Sequence, residues 1–271
     1  MSKQVHIVMS YYNRKAQLLK TLKNINSFNN IKNLNVIIVD DCSNLDNRLE
    51  DIINNYNFNI QLLRVEPEQK NWYNPCITYN YGFIHLEAAD DDIVIIQNPE
   101  CTYNGDVLNH SLATTTHSNY LVYNCASLNK EQTNSYISNS TFEPAKTVDP
   151  ASDLNSYDGE VTWYTHSKFR PKYFHFCSSI TYKNLKKLNG FDIRFKSGHG
   201  FDDDEFSLRV SRLGLDRQFV SKPFVYHLWH ERVELTNFTK LYKNRDLYNH
   251  ILNNTTNYTA NNNTFFGRKN K

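Results

Sequence analysis

Short apolar runs alternate with amphipathic stretches over about the first hundred residues, and this alternation narrows the folds open to the chain more than any other feature. A strand buried on both faces reads as a continuous apolar run, and a parallel neighbour can follow only after a long crossover. Val5 to Met9, Val36 to Val39, Ile60 to Val65 and Ile93 to Ile96 are runs of this kind. Between them Leu18, Leu19, Leu22 and Ile25 recur at helical spacing, with Asn13 placed to cap that helix. Further helices are predicted over Leu45 to Tyr56 and Cys76 to Ala89, then a helix near Asp106 to Thr116 and a strand at Tyr120 to Tyr123. The predicted class is α/β, a mostly parallel, Rossmann-like sheet flanked by helices.

From Ser127 to Glu160 the text turns polar, carries Pro144 and Pro150, and follows neither period. A loop of that length either binds something or lacks order. Pattern resumes at Tyr173 to Tyr182, with a short helix near Leu185, a helix over Asp203 to Leu213 and a strand at Phe224 to Leu228. The expected organisation is one domain over 1–252, made of a regular half (1–125), a polar loop (126–162) and a second half (163–252), followed by a flexible Asn- and Thr-rich tail (253–271).

Charge excludes one large class of partner. The 30 basic and 28 acidic residues are interspersed and leave a net charge of +2, so no field of one sign is available for nucleic acid. The five cysteines, Cys42, Cys76, Cys101, Cys125 and Cys177, include no CxxC pair and fit a reducing compartment. No apolar run reaches the roughly 20 residues of a membrane span, and MSKQVHIVMSYYN lacks the charged and apolar regions of a signal peptide. The expectation is a cytoplasmic protein without a membrane span, in which sequons such as Asn237-Phe238-Thr239 carry no glycan.

In an open parallel sheet, ligands bind beyond the carboxyl ends of the strands. Three segments deliver polar groups there: Ser10-Tyr11-Tyr12-Asn13-Arg14, Asp40-Asp41-Cys42-Ser43 and Gln97-Asn98-Pro99-Glu100. Asp and Ser are also ordinary turn residues, and Asn-Pro is an ordinary turn opener. A carboxylate in Asp40-Asp41 suits a base edge with a ring N–H: uracil offers N3–H where cytosine has a bare acceptor, and guanine also offers N–H donors. Glu100, with Asn98, offers hard oxygen ligands to a divalent ion bridging two phosphates.

Four adjacent acids, Asp202-Asp203-Asp204-Glu205, follow Gly198-His199-Gly200-Phe201. A helix N-terminus accommodates negative charge, but helical spacing keeps the four from pointing one way, and one aimed at the rim can act as general base. Gly198 and Gly200 suggest a mobile loop before that helix. In Val225-Tyr226-His227-Leu228-Trp229-His230, strand alternation puts His227 and Trp229 on one face and His230 on the other. A lone buried histidine is ordinarily a core residue; beside Glu100 it shifts the metal preference toward Mn. Trp163, Tyr164 and His166 suit stacking on a sugar or, equally, burial.

Taken in order, these segments resemble the nucleotide-sugar glycosyltransferases of the GT-A fold, particularly family 2. VHIVMSYYNR is similar to the family's first strand and nucleotide loop, VIIVDDCSN to its second, and NPCITYNYGFIHLEAADDDIVIIQNPE to the stretch leading into its metal-binding Asp-x-Asp. FHFCSSITYKNLKKLNGFDIRF is similar to the acceptor-side stretch, with Asn189 at the first glycine of "GGFD", and GHGFDDDEFSLRV resembles the segment that supplies the base. The resemblance runs from Val5 to about Trp229. It implies that Ser10, Tyr12, Asn13 and Arg14 line the nucleotide pocket, that Asp41 with Asp40 contacts uracil, and that Asn80 lies in the helix under the donor. Asn98 and Glu100 take the two Asp-x-Asp positions, Asp203 is the base, Asp202 holds acceptor or donor hydroxyls, and His227 is the metal-ligating histidine.

The implied activity is inverting transfer from a UDP-sugar to a hydroxyl of a sugar, glycan or glycoprotein acceptor, with Mn2+ or Mg2+ as cofactor. On that reading 1–125 is the nucleotide-binding half and 163–252 the acceptor and catalytic half. Asn98 removes one charge from the metal site, which leaves open a non-catalytic sugar- or nucleotide-binding protein on the same fold; a nucleotidyltransferase is a further alternative. A dinucleotide-dependent oxidoreductase and a P-loop enzyme are excluded, because MSYYNR contains no glycine and no GxxxxGK[ST] occurs.

Overall fold

The computed structural model describes residues 3–28, 34–53, 55–138, 163–231, 238–262 and 264–268. Most of the polar stretch between the two halves, residues 139–162, therefore lies outside the described residues.

The parallel strands form as the apolar runs predict. β1 (Val5–Tyr11), β2 (Leu34–Asp40), β3 (Asn59–Arg64) and β4 (Ile93–Gln97) lie in the order β3-β2-β1-β4, all parallel, with α1 (Lys15–Ser27) and α2 (Cys76–Ile84) among their connections. Alternate side chains of β1 enter opposite cores: Val5, Ile7 and Met9 pack with Leu18, Leu22 and Ile25 of α1, while Val8 packs with Phe83 of α2. Both faces are covered, so the strands are apolar throughout. α2 approaches closely because it presents Gly82, where a Cβ would lie 2.5 Å from Val8 Cγ1.

Beyond β4 the sheet is mixed. The next elements are β5 (Cys101–Asn104), α3 (Val107–Thr114), β6 (Asn119–Ser127), α4 (Lys130–Ser138), β7 (Trp163–Thr165), β8 (Cys177–Thr181), α5 (Tyr182–Leu188), α6 (Asp202–Arg212), β9 (Asp216–His227) and α7 (Phe238–Asn254). The order continues β4-β8-β6-β9-β5, with β7 on β6; β8 is antiparallel to β4 and β6, β9 is parallel to β6, and β5 is antiparallel to β9. The ends of β4, β6 and β9 thus reach the same rim as the ends of β1 and β2. The described helices include none long and apolar enough to cross a membrane.

Several expectations require correction. Leu45 to Tyr56 has helical spacing, yet the described residues form a 3-10 turn at Leu45–Asn47 followed by extended backbone at Arg48. The Asn44 side chain accepts from Asn47 N, and Tyr11 Oη donates to Asn47 O at 2.7 Å, so local polar bonds hold the chain out of a helix. Asn13 does not cap α1, whose N-cap is Arg14 without a side-chain bond. α2 ends at Ile84, short of Ala89, and the polar stretch begins with a helix, α4.

The tail from 253 is docked where it is described. α5 ends on Asn189 in the left-handed region at φ 58°, a conformation Asn tolerates better than other non-glycine residues. From there Asn189 Nδ2 donates to the carbonyls of Ala260 and Thr264 at 2.9 and 2.8 Å, and Oδ1 accepts from Phe266 N at 2.6 Å. Phe266 is consequently 1% exposed, packed among Phe83 and other core residues. Asn189→Ala is expected to cost about 1–2 kcal/mol more than Asn189→Gly, because both lose the bonds but only alanine strains the left-handed turn; urea unfolding of the two variants measures the difference.

Candidate active site

Strand register brings the polar segments together. Tyr11 pairs with Asp40 and Met9 with Gln97, so the loops after β1, β2 and β4 leave the sheet side by side. Cys177 opposite Gln97 adds the segment just before β8, and His227 opposite Cys101 sets the end of β9 beside Glu100. A bond from Leu228 N to Glu100 O at 2.9 Å continues that pairing past the strand.

Two adjoining cavities lie over this rim. The larger, about 790 Å3, is walled by Ser10, Tyr12, Arg14, Asp41, Asn98 and His230, and also by Lys70, Trp72 and Tyr73. The smaller, about 210 Å3, contains His175, Asp202 and Asp203. Tyr73, Pro75, Asn98 and His199 border both, which makes them one continuous cleft.

At the end of the cleft over β1 and β2, Asp41 Oδ1 accepts from Trp72 Nε1 at 2.9 Å and Oδ2 from Lys70 Nζ at 3.0 Å. Burial raises the Asp41 pKa, and these two partners offset only part of the effect. Lys70 Nζ also lies 4.6 Å from the centre of the Tyr12 ring. Ser10 Oγ is hydrogen-bonded to Thr78 Oγ1 at 2.6 Å.

Asn13, Asp40 and Asn80 are not brought to the cleft. Asn13 ties two loops together, its N–H donating to Ser43 Oγ and its Oδ1 accepting from Asn44 N, both at 2.9 Å. Asp40 is fully buried; its Oδ1 accepts from Ser43 N, and Arg64 Nη1 lies 2.9 Å from its Oδ2. Asn80 is spent on one residue, with Nδ2 donating to Phe191 O at 2.7 Å and Oδ1 accepting from Phe191 N at 2.8 Å. The bonds of these three side chains run to other parts of the protein.

Glu100, His227 and His230 form the metal-compatible group, with ligand atoms within 4.8 Å of one another. Glu100 Oε1 lies 2.6 Å from Arg14 Nη1, 3.1 Å from His227 Nε2 and 3.5 Å from His230 Nε2, while Oε2 is buried without a hydrogen-bond partner. Burial alone would raise Glu100; Arg14 and the two imidazoles outweigh it and hold the carboxyl well below its usual range. Burial lowers His227 despite Glu100, favouring the neutral ring. A charged carboxylate with an open oxygen and a neutral imidazole are the states that bind metal, so these residues fit a divalent metal ion. Strand alternation misplaced His230, because β9 ends at His227 and the chain then turns back toward Glu100.

Asn98 does not point freely at this group. Its Oδ1 accepts from Tyr79 Oη at 3.0 Å and its Nδ2 lies 3.4 Å from Glu100 Oε1, so it steadies the carboxylate. Trp163, Tyr164 and His166 wall neither cavity: Trp163 is 5% exposed, and Tyr164 packs edge-on against His227 with ring centres 4.8 Å apart. Tyr164 thus backs the metal-compatible group, while Trp163 and His166 pack on each other with ring centres 4.5 Å apart.

At the other end α6 sorts its acids by direction. Glu205 is bonded to Arg209 inside the core, with Nε to Oε1 at 2.6 Å. Asp202 is 4% exposed, and its Oδ1 accepts from Asn74 Nδ2 at 2.7 Å. Burial first, then the adjacent Asp203, pushes the Asp202 pKa up to about 6. Asp203 keeps 28% of its side chain exposed and pairs through Oδ1 with His175 Nδ1, a partner that no sequence pattern indicated. The glycine loop before α6 is fastened to α7: Asn244 Nδ2 donates to Phe195 O and Gly200 O, and His199 N to Lys240 O.

The glycosyl transferase family 2 model matches residues 6–188, and a model described as the N-terminal domain of galactosyltransferase matches residues 161–231. No curated protein matches the chain in sequence. Among solved structures, TarS of S. aureus superposes with a TM-score of 0.58 and 16% identity, covering 92% of this chain and 40% of that one. TarS 1–349 in complex with UDP gives 0.59 and 17%, and TarS 1–349 in complex with UDP-GlcNAc gives 0.62 and 15%; each covers 92% of this chain, and 66% and 67% of the respective fragment. The chain thus spans less than half of TarS, and at such identity the likeness is one of fold: a GT-A sheet with its flanking helices. Because the first of the two family models covers more than half of the sequence, from β1 through α5, the chain belongs to glycosyl transferase family 2.

Proposed function

We propose that the protein transfers a sugar from a UDP-linked donor to an acceptor hydroxyl, with inversion at the anomeric carbon and Asp203 as general base. The observation that carries this reading is the continuity of the cleft: Asn98 and His199 border both the cavity that holds Asp41, Arg14 and His230 and the cavity that holds Asp203. TarS 1–349, a neighbour in fold, is described in complex with UDP and with UDP-GlcNAc.

In the proposed reaction the uracil lies near Asp41 and the diphosphate near Arg14. Asp203 takes the proton of the acceptor hydroxyl as that oxygen bonds to the anomeric carbon, and the bond from that carbon to the diphosphate oxygen breaks with its electron pair leaving on UDP. Neutralisation of the departing charge would come from Mn2+, or Mg2+, held by Glu100, His227 and His230. The acceptor is a hydroxyl of a sugar, glycan or glycoprotein. The five cysteines are all free thiols, which suits the reducing cytoplasm.

Incubation with UDP-sugars and Mn2+ is expected to release UDP and no pyrophosphate. Asp203→Asn is expected to lower turnover by about 10²-fold or more, the scale of a lost general base, with UDP affinity by calorimetry unchanged; lost affinity would reassign the residue. EDTA is expected to stop UDP release and Mn2+ to restore it more fully than Ca2+, whereas full turnover in EDTA would remove Glu100, His227 and His230 from the mechanism.

Asp202 carries a stability cost with a defined sign. Its folded pKa lies above the unfolded value of 3.8, so the folded state binds the extra proton between the two values and stability falls as pH rises through that window. Asp202→Asn, which keeps an acceptor for Asn74, is expected to raise Tm more at pH 8 than at pH 4.5 in thermal melts. An equal shift at both would show that the carboxylate is not strained by its burial.

A further inference from the structure

We propose that His175 is a positioning residue for this reaction: it grips Asp203 by Oδ1 and leaves Oδ2 to meet the acceptor hydroxyl. The inference rests on Asp203 being the base.

His175 is 5% exposed and sits in the segment that enters β8, at the wall of the smaller cavity. Its Nδ1 lies against Asp203 Oδ1, and its backbone N–H donates to the same oxygen at 3.3 Å. The ring has no freedom to leave that position. Tyr79 of α2 meets it edge-on with centres 4.9 Å apart, and Phe191 lies 4.8 Å away on another side. A side chain that is fixed by aromatic packing and holds one carboxylate oxygen determines where the other oxygen points.

Charge gives the pair a second consequence. Asp203 stands next to Asp202, which is buried and bonded to Asn74, and two neighbouring carboxylates oppose each other's ionisation. The ionisable groups facing His175 are Asp202 and Asp203 from α6 and the Tyr79 hydroxyl from α2, with His199 across the same cavity. Arg170 and Lys172, upstream of His175, act on Asp204. Burial disfavours a charge on His175, but Asp203 and Asp202 prevail and raise its pKa. An imidazolium against Oδ1 therefore places a positive charge beside both carboxylates and strengthens the grip on Asp203.

The test reads orientation. His175→Gln retains an N–H donor and His175→Ala retains none. Both are expected to leave KM for the UDP-sugar within about twofold; His175→Gln is expected to recover most of kcat and His175→Ala to remain about tenfold lower, because only glutamine can still hold Oδ1. A kcat of His175→Ala equal to that of the wild type overturns the proposal. If neither variant folds, NMR of the wild-type imidazole decides: a His175 titration that stays above the ordinary histidine value and drops in Asp203→Asn supports the pairing, and one unaffected by Asp203→Asn overturns it. Turnover by Asp203→Asn would instead refute the base assignment itself.

Discussion

A carboxylate with 1% of its surface exposed stands at the end of β4, and the rim is assembled around the need to compensate it. Removing an ionised carboxylate from water costs several kcal/mol unless charges or donors replace the solvent. Glu100 obtains them from three separate places: Arg14 after β1, His227 at the end of β9 and His230 beyond it. They meet only because β9 lies between β6 and β5, parallel to one and antiparallel to the other. The compensation is incomplete, since Glu100 Oε2 and His227 Nδ1 keep no hydrogen-bond partner. One set of contacts therefore accounts both for the tolerance of a buried charge and for a donor set suited to a divalent ion.

The second half of the molecule is organised by a chain of buried polar bonds leading to the proposed base. Arg209 is 2% exposed; it holds Glu205 on its own helix and donates to the carbonyls of Leu188 and Gly190. Asn80 bonds both polar groups of the next residue, Phe191, and Asn189 fastens the C-terminal segment to the same turn. Phe191 in turn packs against His175 and Phe206. The direction of Asp203 thus depends on residues far outside the cleft, because a buried polar network has few alternative arrangements once every member is satisfied.

The parallel half was legible because both faces of each strand are buried, leaving uninterrupted apolar runs such as Ile93 to Ile96. The candidate site was legible in part. Ser10, Tyr12, Arg14, Asp41 and Asn98 wall the larger cavity and Asp202 and Asp203 the smaller, as strand-end polarity and the four-acid segment lead one to expect. Asn13, Asp40 and Asn80 wall neither cavity, because a polar residue near a rim can spend its bonds inside the protein. His230 was missed because alternation was carried past the last residue of β9. Lys70 and Trp72 left no signal, since they reach the cleft from irregular segments whose paths no periodicity describes, and His175 falls inside the Tyr173 to Tyr182 run but ahead of β8, which starts at Cys177. Leu45 to Tyr56 misled in the opposite sense, its helical spacing overridden by side-chain bonds to a 3-10 turn.

By itself the sequence determined the alternating α/β framework, the rim to which polar groups are delivered and the segment that carries the acids, because these follow from periodicity and from which residue types tolerate burial. Tertiary structure alone decided which acid faces the cleft, which histidines gather at Glu100 and how Asp203 is held. Those outcomes depend on contacts between residues far apart in the chain, such as Glu100 with His227 and His175 with Asp203. Local pattern carries no information about such pairs until the order and register of the strands bring them together.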